Sequence, residues 1–319
     1  MAALGVGRPA LADNAVSEEL TYGPAKLNSG YVYVANELSG EVDLVPLRWS
    51  LLGNYLLATD AFEALHNTFE LGPIWHVTPR LELGAYLLYS PFATGTAHAE
   101  EHTTELIVTD RVSSDAFGGA ITANYQIGDE RRTLTFTAEV ASTDFGIDQS
   151  VTAPPTLTAA QTFDTDLQQT AITAGVAGRY HWSRLSLQGS YFAYNQNPAD
   201  LGEISLPGKG SHPFLLGDLS AAAASGLPSA PLSWSGSATF RQQIGQHFAA
   251  YLSYAFLEYV SPFGYGQVVT PKVAWQINVM WRVYAAYTFQ ANSQALFPSG
   301  QDEPPQQLQL FTLGVNVSL

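Results

Sequence analysis

The sequence predicts an all-β fold, a transmembrane antiparallel up-and-down β-barrel. Three observations lead there. From about residue 67 onward, segment after segment alternates apolar and polar residues, as strands do when one face meets an apolar medium and the other a polar one. Charged residues make up only 13% of the chain while hydrophobic residues make up 46%, and that is about half the charged share of a soluble globular protein. The links between these segments alternate short and long, an asymmetry that membrane-spanning barrels show. No run of about 18 apolar residues occurs, which excludes spanning helices and leaves a closed barrel as the way to satisfy backbone polar groups in lipid.

In chain order, Met1 to Ala12 ends on Ala10-Leu11-Ala12 before Asp13, which fits a small-residue cleavage site but lacks a basic start and a full apolar segment, so residues 1–12 read as a remnant of an export signal or as an ordinary flexible terminus. Asp13 to Gly30, with Glu18, Glu19, Pro24 and Gly30, shows no clear period, and residues 13–40 are expected to be a periplasmic lead-in to a barrel over 41–319. Two short strand-like runs compete for the first barrel strand, Tyr31 to Ala35 and Val42 to Trp49. The second is preferred, with Pro46 at an edge or bulge because it has no N–H to give to a ladder.

Paired strands follow. Asn67 to Val77 and Arg80 to Tyr89 flank Thr78-Pro79; Phe117 to Ile127 and Thr133 to Val140 flank Gly128 to Arg132; Thr170 to Tyr180 and Leu185 to Tyr194 flank His181-Trp182-Ser183. Leu232 to Gln242 and Phe248 to Leu257 turn at Ile244-Gly245-Gln246, and Gln267 to Gln276 and Arg282 to Ala291 turn near Asn278. With one early strand and a last strand from Gln306, the count is about twelve, and about ten or fourteen also satisfy the even number such barrels favour. Between pairs the links are mostly long, notably Pro91 to Ala116, Ser142 to Gln169 and Asn195 to Pro231, with Ser261 to Gly266 a short exception. Trp75, Trp182, Trp275 and Trp281 lie at or near the short turns, where indole rings would mark one membrane interface. Tyr89, Tyr191, Trp234, Tyr254 and Tyr259 would mark the other.

In the last strand Leu319, Val317, Val315, Leu313 and Phe311 occupy every second place back from the end, against Gly314, Asn316 and Ser318. This strand resembles the closing strand of bacterial outer-membrane β-barrels of the porin and transporter class, with Leu319 where that class usually has an aromatic residue. The resemblance implies the outer membrane of a Gram-negative cell, with short turns toward the periplasm and long loops outside. The implied partners are outer-membrane lipid and lipopolysaccharide, the barrel-assembly machinery and small solutes.

Candidate chemistry is sparse. His98-Ala99-Glu100-Glu101-His102 matches the H-x-x-E-H zinc pattern, which works on a helix where residues four apart share a face. Here it falls in an expected loop, so His98, Glu101 and His102 are weak metal-ligand candidates and an acidic solvated loop is the simpler reading. There is no cysteine, hence no disulfide or thiolate site. No G-x-S-x-G elbow occurs, no catalytic residue or cofactor is expected, and the chain is read as a non-enzyme. The net charge of −15 with scattered basic residues argues against nucleic acid.

The polar parity of the strands carries the candidate lumen-lining residues Glu70, Glu82, Asn124, Glu139, Arg179, Arg241, Lys272, Gln276 and Arg282. Charges paired across the lumen would plug it, and separated charges would leave a path. The expected function is a porin-like channel or small-solute transporter passing solutes passively. The alternatives are a structural or adhesive barrel with a plugged lumen, a lipid-modifying barrel enzyme, and a secreted β-sandwich.

Overall fold

The computed structural model describes residues 14–26, 31–46, 48–60, 65–101, 106–129, 131–153, 157–198, 203–206, 210–213, 231–261, 263–293 and 306–318. The first three strands are β1 (Ala15–Lys26), β2 (Tyr31–Val45) and β3 (Trp49–Asp60). Next come β4 (Leu65–Thr78), β5 (Leu81–Glu101), β6 (Leu106–Gly128), β7 (Arg132–Ala153), β8 (Leu157–Tyr180) and β9 (Ser183–Tyr194). A separate hairpin, β10 (Glu203–Leu206) with β11 (Gly210–Pro213), interrupts the link from β9. The chain then forms β12 (Leu232–Ile244), β13 (Phe248–Tyr259), β14 (Tyr265–Gln276), β15 (Trp281–Asn292) and β16 (Gln306–Ser318). All but β10 and β11 make one closed barrel of fourteen antiparallel strands, each paired with its sequence neighbours. Closure is made by β1 on β16, from Ala15 opposite Ser318 to Lys26 opposite Gln307.

Alternation dictates which face is which. Leu71, Leu87, Ile121, Val140, Ile172, Leu252 and Leu313 are all exposed, Ile121 to 69% and Leu313 to 62%. Large apolar side chains so exposed around a whole barrel form a surface that water solvates poorly and hydrocarbon solvates well. Residues of the opposite parity face inward, and there Thr122, Thr135, Thr173, Ser186 and Thr312 are buried.

The connections sort to two ends. At one end lie the termini of the barrel and the short turns around residues 46–48, 79–80, 129–131, 181–182, 245–247 and 277–280. Asp129 shapes one of these turns, its Oδ1 accepting from the N–H of Arg131 (2.8 Å) and of Arg132 (2.9 Å). These two N–H groups hold its carboxyl below the usual carboxylate range. Gly128 precedes it at φ 111°, where a Cβ would fall on the Arg132 carbonyl oxygen. Trp49, Trp75, Trp182, Trp275 and Trp281 are exposed beside these turns, with Trp49 stacked on Trp75 at 5.7 Å between centroids. Indole rings favour the interface between headgroups and acyl chains.

Four expectations are corrected. Residues 13–40 do not form a lead-in, because they hold β1 (Ala15–Lys26) and much of β2 (Tyr31–Val45), both barrel strands. Val42 to Trp49 is not one strand but the end of β2 and the first residue of β3, because the chain turns at Pro46 with Arg48 N–H bonded to the Val45 carbonyl at 3.0 Å, a position where a fixed φ and a missing N–H cost little. The stretches Pro91 to Ala116 and Ser142 to Gln169 are mostly strand, since β5 pairs β6 and β7 pairs β8 well beyond the lipid-facing belt. Tyr259 points inward and is 3% exposed, donating to Asn292 Oδ1 at 2.9 Å, and does not join the outer aromatic belt.

Among the described residues, two inner apolar clusters stand out. Phe192, Leu232, Leu257, Tyr259, Phe263 and Val268 cluster at the long-link end of β9 and β12–β14. Ala35, Ala58 and Leu310 pack with Leu56 across β2, β3 and β16.

Candidate functional site: the inner wall of the barrel

The inner wall is organised as a belt of hydroxyls flanked by opposite charges on opposite walls. Thr173 meets Ser190 at 2.8 Å, Thr239 meets Ser253 at 3.0 Å, Thr270 meets Thr288 at 3.0 Å and Thr21 meets Thr312 at 2.9 Å. Each pair joins directly opposed or diagonal positions of neighbouring strands, the spacing at which short hydroxyl side chains reach one another.

Charges segregate around this belt. Glu19, Glu37, Glu41, Glu70, Glu82 and Glu139 lie on β1, β2, β4, β5 and β7, whereas Arg179, Arg184, Arg241, Lys272 and Arg282 lie on β8, β9, β12, β14 and β15. Arg241 donates to Gln243 Oε1 at 3.2 Å and lies 5.5 Å from the Tyr251 ring centroid. Arg282 donates to Gln276 Oε1 at 2.8 Å. Among the described residues, Arg179, Arg241 and Arg282 form no ion pair with Glu70, Glu82 or Glu139, whereas His76 pairs with Glu82 and Lys272 with Glu19. Of the remaining sequence candidates, Asn124 Oδ1 accepts from Thr137 at 2.9 Å, and Glu139 Oε2 is buried without a hydrogen-bond partner. Glu70 lies between the exposed Phe69 and Leu71, on the face opposite theirs.

Lys272 bridges the two walls. Its Nζ is 3.7 Å from Glu19 Oε1 and 3.4 Å from the Tyr284 ring centroid. Tyr284 lies flat over Gly314, where any Cβ would enter the ring.

At the short-turn end of the acidic wall sits a network that the sequence did not suggest. Ser50, fully buried, donates to Asp43 Oδ1 at 2.8 Å and meets His76 Nε2 at 2.9 Å. His76 Nδ1 faces Glu82 Oε1 at 3.3 Å. The serine, imidazole and carboxylate superficially resemble a nucleophile relay. Ser50 gives its one hydrogen to Asp43, so His76 Nε2 must donate to the serine oxygen and cannot act as its base. With Glu41, these groups could also approach one ion, ligand atoms of Glu41, Asp43 and His76 all lying within 4.8 Å of one another. Their separation along the sequence hid the grouping, which exists only because β2, β3 and β4 are neighbours.

The sequence motif fares differently. His98 and Glu101 lie at the end of β5, in extended chain with no helix to gather ligands four residues apart. His102 lies outside the described residues.

No family model matches this chain. No curated protein sequence matches it either. Solved structures do resemble it in fold. The monoaromatic hydrocarbon channel CymD aligns over 100% of this chain and 94% of its own, at 11% identity and a TM-score of 0.60. A Pseudomonas aeruginosa FadL homologue aligns over 98% and 93%, at 10% identity and 0.58. The P. putida toluene transporter TodX aligns over 98% and 93%, at 11% identity and 0.57. At such identities the likeness concerns the fold, and in fold this chain is a fourteen-stranded antiparallel β-barrel of the kind found in bacterial outer-membrane channels and transporters.

Proposed function

We propose that this protein is a passive channel for small polar solutes in the outer membrane of a Gram-negative bacterium, with the solute path running through the barrel. The observation that carries this reading is the separation of inward charge: Arg179, Arg241 and Arg282 stand apart from Glu70, Glu82 and Glu139. A plug would be built from charges paired across the lumen, because an unpaired charge needs water near it. Glu70, Glu82, Asn124, Glu139, Arg179, Arg241, Lys272, Gln276 and Arg282 would line the path. Fourteen strands also enclose more room than the eight whose side chains fill their own interior.

CymD and TodX are hydrocarbon channels or transporters by name. On this chain the hydroxyl belt and the charged walls favour solutes that hydrogen-bond. The exposed apolar belt would be bathed in lipid, the long-link end would meet lipopolysaccharide, and β16 would be the strand read by the barrel-assembly machinery. Swelling of liposomes carrying the folded protein tests this reading. Entry of small sugars, slowing as the sugar grows, is expected; liposomes that swell no faster than protein-free ones would overturn it.

A further inference from the structure

We infer that the short-turn mouth of the lumen holds a binding site for small oxyanions, formed by Arg179, Arg184 and Arg241. The three occupy adjacent strands in a single register row. Arg179 of β8 is directly opposite Arg184 of β9, and Arg184 is directly opposite Arg241 of β12. All three have inward parity, each lying next to exposed apolar neighbours such as Tyr180, Leu185 and Phe240. Directly opposed residues of antiparallel strands bring their Cβ atoms to about 4.5–5.5 Å, and like charges so placed repel.

The same row shows what neutralises one of its cations. It continues from Arg241 to Tyr251 of β13 and from Tyr251 to Lys272 of β14. Lys272 reaches Glu19 at 3.7 Å. Arg179 and Arg241 reach no described carboxylate, the contacts of Arg241 being Gln243 Oε1 and the Tyr251 ring. Those two contacts fix the Arg241 guanidinium and leave donors over. Guanidinium groups present paired N–H donors that match a carboxylate or phosphate group. An oxyanion between Arg179 and Arg241 would relieve the repulsion along the row. The inward carboxylates lie on the strands from β1 to β7, so they do not compete for it from the same wall. The tight turn at His181-Trp182, with His181 at φ 50°, fixes Arg179 and Arg184 two places on either side of it.

As a statement about permeation this rests on the channel reading; as a statement about binding it does not. In planar bilayers at about 0.1 M KCl, where surface charge is screened beyond about 10 Å, the parent should prefer chloride over potassium in its reversal potential. Millimolar inorganic phosphate or acetate should reduce the current, more strongly from the short-turn side. R179Q/R241Q should weaken that inhibition tenfold or more and shift the reversal potential toward potassium, while R179K/R241K should keep the chloride preference. A conducting parent that neither anion inhibits, or inhibition that R179Q/R241Q leaves unchanged, would overturn the site. Calorimetry of phosphate and acetate with the folded barrel in detergent separates the two readings if no current flows. Binding that R179Q/R241Q abolishes would support the site although the channel reading had failed, and no binding by the parent would overturn the site itself.

Discussion

The ammonium of Lys272 lies 3.7 Å from the Glu19 carboxylate, joining β14 to β1 across the two strands between them. Tyr284 supports this reach, since the ammonium sits 3.4 Å above its ring, and Gly314 makes room for the ring. The contact therefore spans the seam where the barrel closes. Gly314→Ala should push the ring off the wall and cost about 1–3 kcal/mol, the range for overpacking. Lys272→Met should cost about 1 kcal/mol, because the pair is partly solvated. Urea unfolding in micelles measures both, and a Gly314→Ala barrel as stable as the parent would show that the ring does not rest there.

The apolar exterior makes a second prediction. Val176 and Leu252 have outward parity, with Leu252 54% exposed. An arginine at the middle of the lipid face of such a barrel costs about 2–4 kcal/mol. Val176→Arg and Leu252→Arg should each lower folding yield into lipid vesicles by that measure, and unchanged folding of both would remove the lipid-facing assignment.

Ser50 is fully buried between Asp43 and His76. Ser50→Ala leaves an acceptor and an imidazole without their shared partner, at a cost of about 1–3 kcal/mol. Thermal unfolding of the variant beside the parent reads this directly. A variant at least as stable as the parent would show that the hydroxyl does not hold β2, β3 and β4 together.

Asp129 predicts a pH effect with a definite sign. Its folded carboxyl titrates below the ordinary value because the Arg131 and Arg132 N–H groups favour the charged form. Its contribution is therefore present above the unfolded carboxyl's value and lost as pH falls through the lower folded value. Asp129→Asn should flatten the acid limb by lowering stability in the neutral region, while leaving the acid end nearly unchanged. Equilibrium unfolding at a series of pH values checks it, and an identical acid limb in both proteins would count against the turn's hydrogen bonding.

The eleven strands from Leu65 onward were legible because their outward parity is apolar and their inward parity small or polar, as in Leu81 to Tyr89 or Ala171 to Tyr180. The first three were not, for physical reasons. In β1 and β2 polar residues occupy both parities, with Glu18 exposed and accepting from Asn36 on the outer face while Glu19 and Glu37 are directly opposed on the inner one. In β3 the disturbance is opposite, since Leu56 packs inward with Ala35, Ala58 and Leu310 while Leu57 is exposed outside. The distal parts of β5–β8 lie beyond the apolar belt, so neither face is under pressure to alternate and their sequence resembles loop. The inward residues could be named from parity alone, but the alignment of Arg179, Arg184 and Arg241 depends on register, which turn lengths and closure set.

Single-channel recording from the purified, folded barrel in a planar bilayer tests the open lumen most directly. Separated charges on opposite walls predict discrete, stable conductance steps that grow with salt concentration. Repeated insertion of demonstrably folded protein with no step of current would mean that the lumen is closed and would contradict the channel.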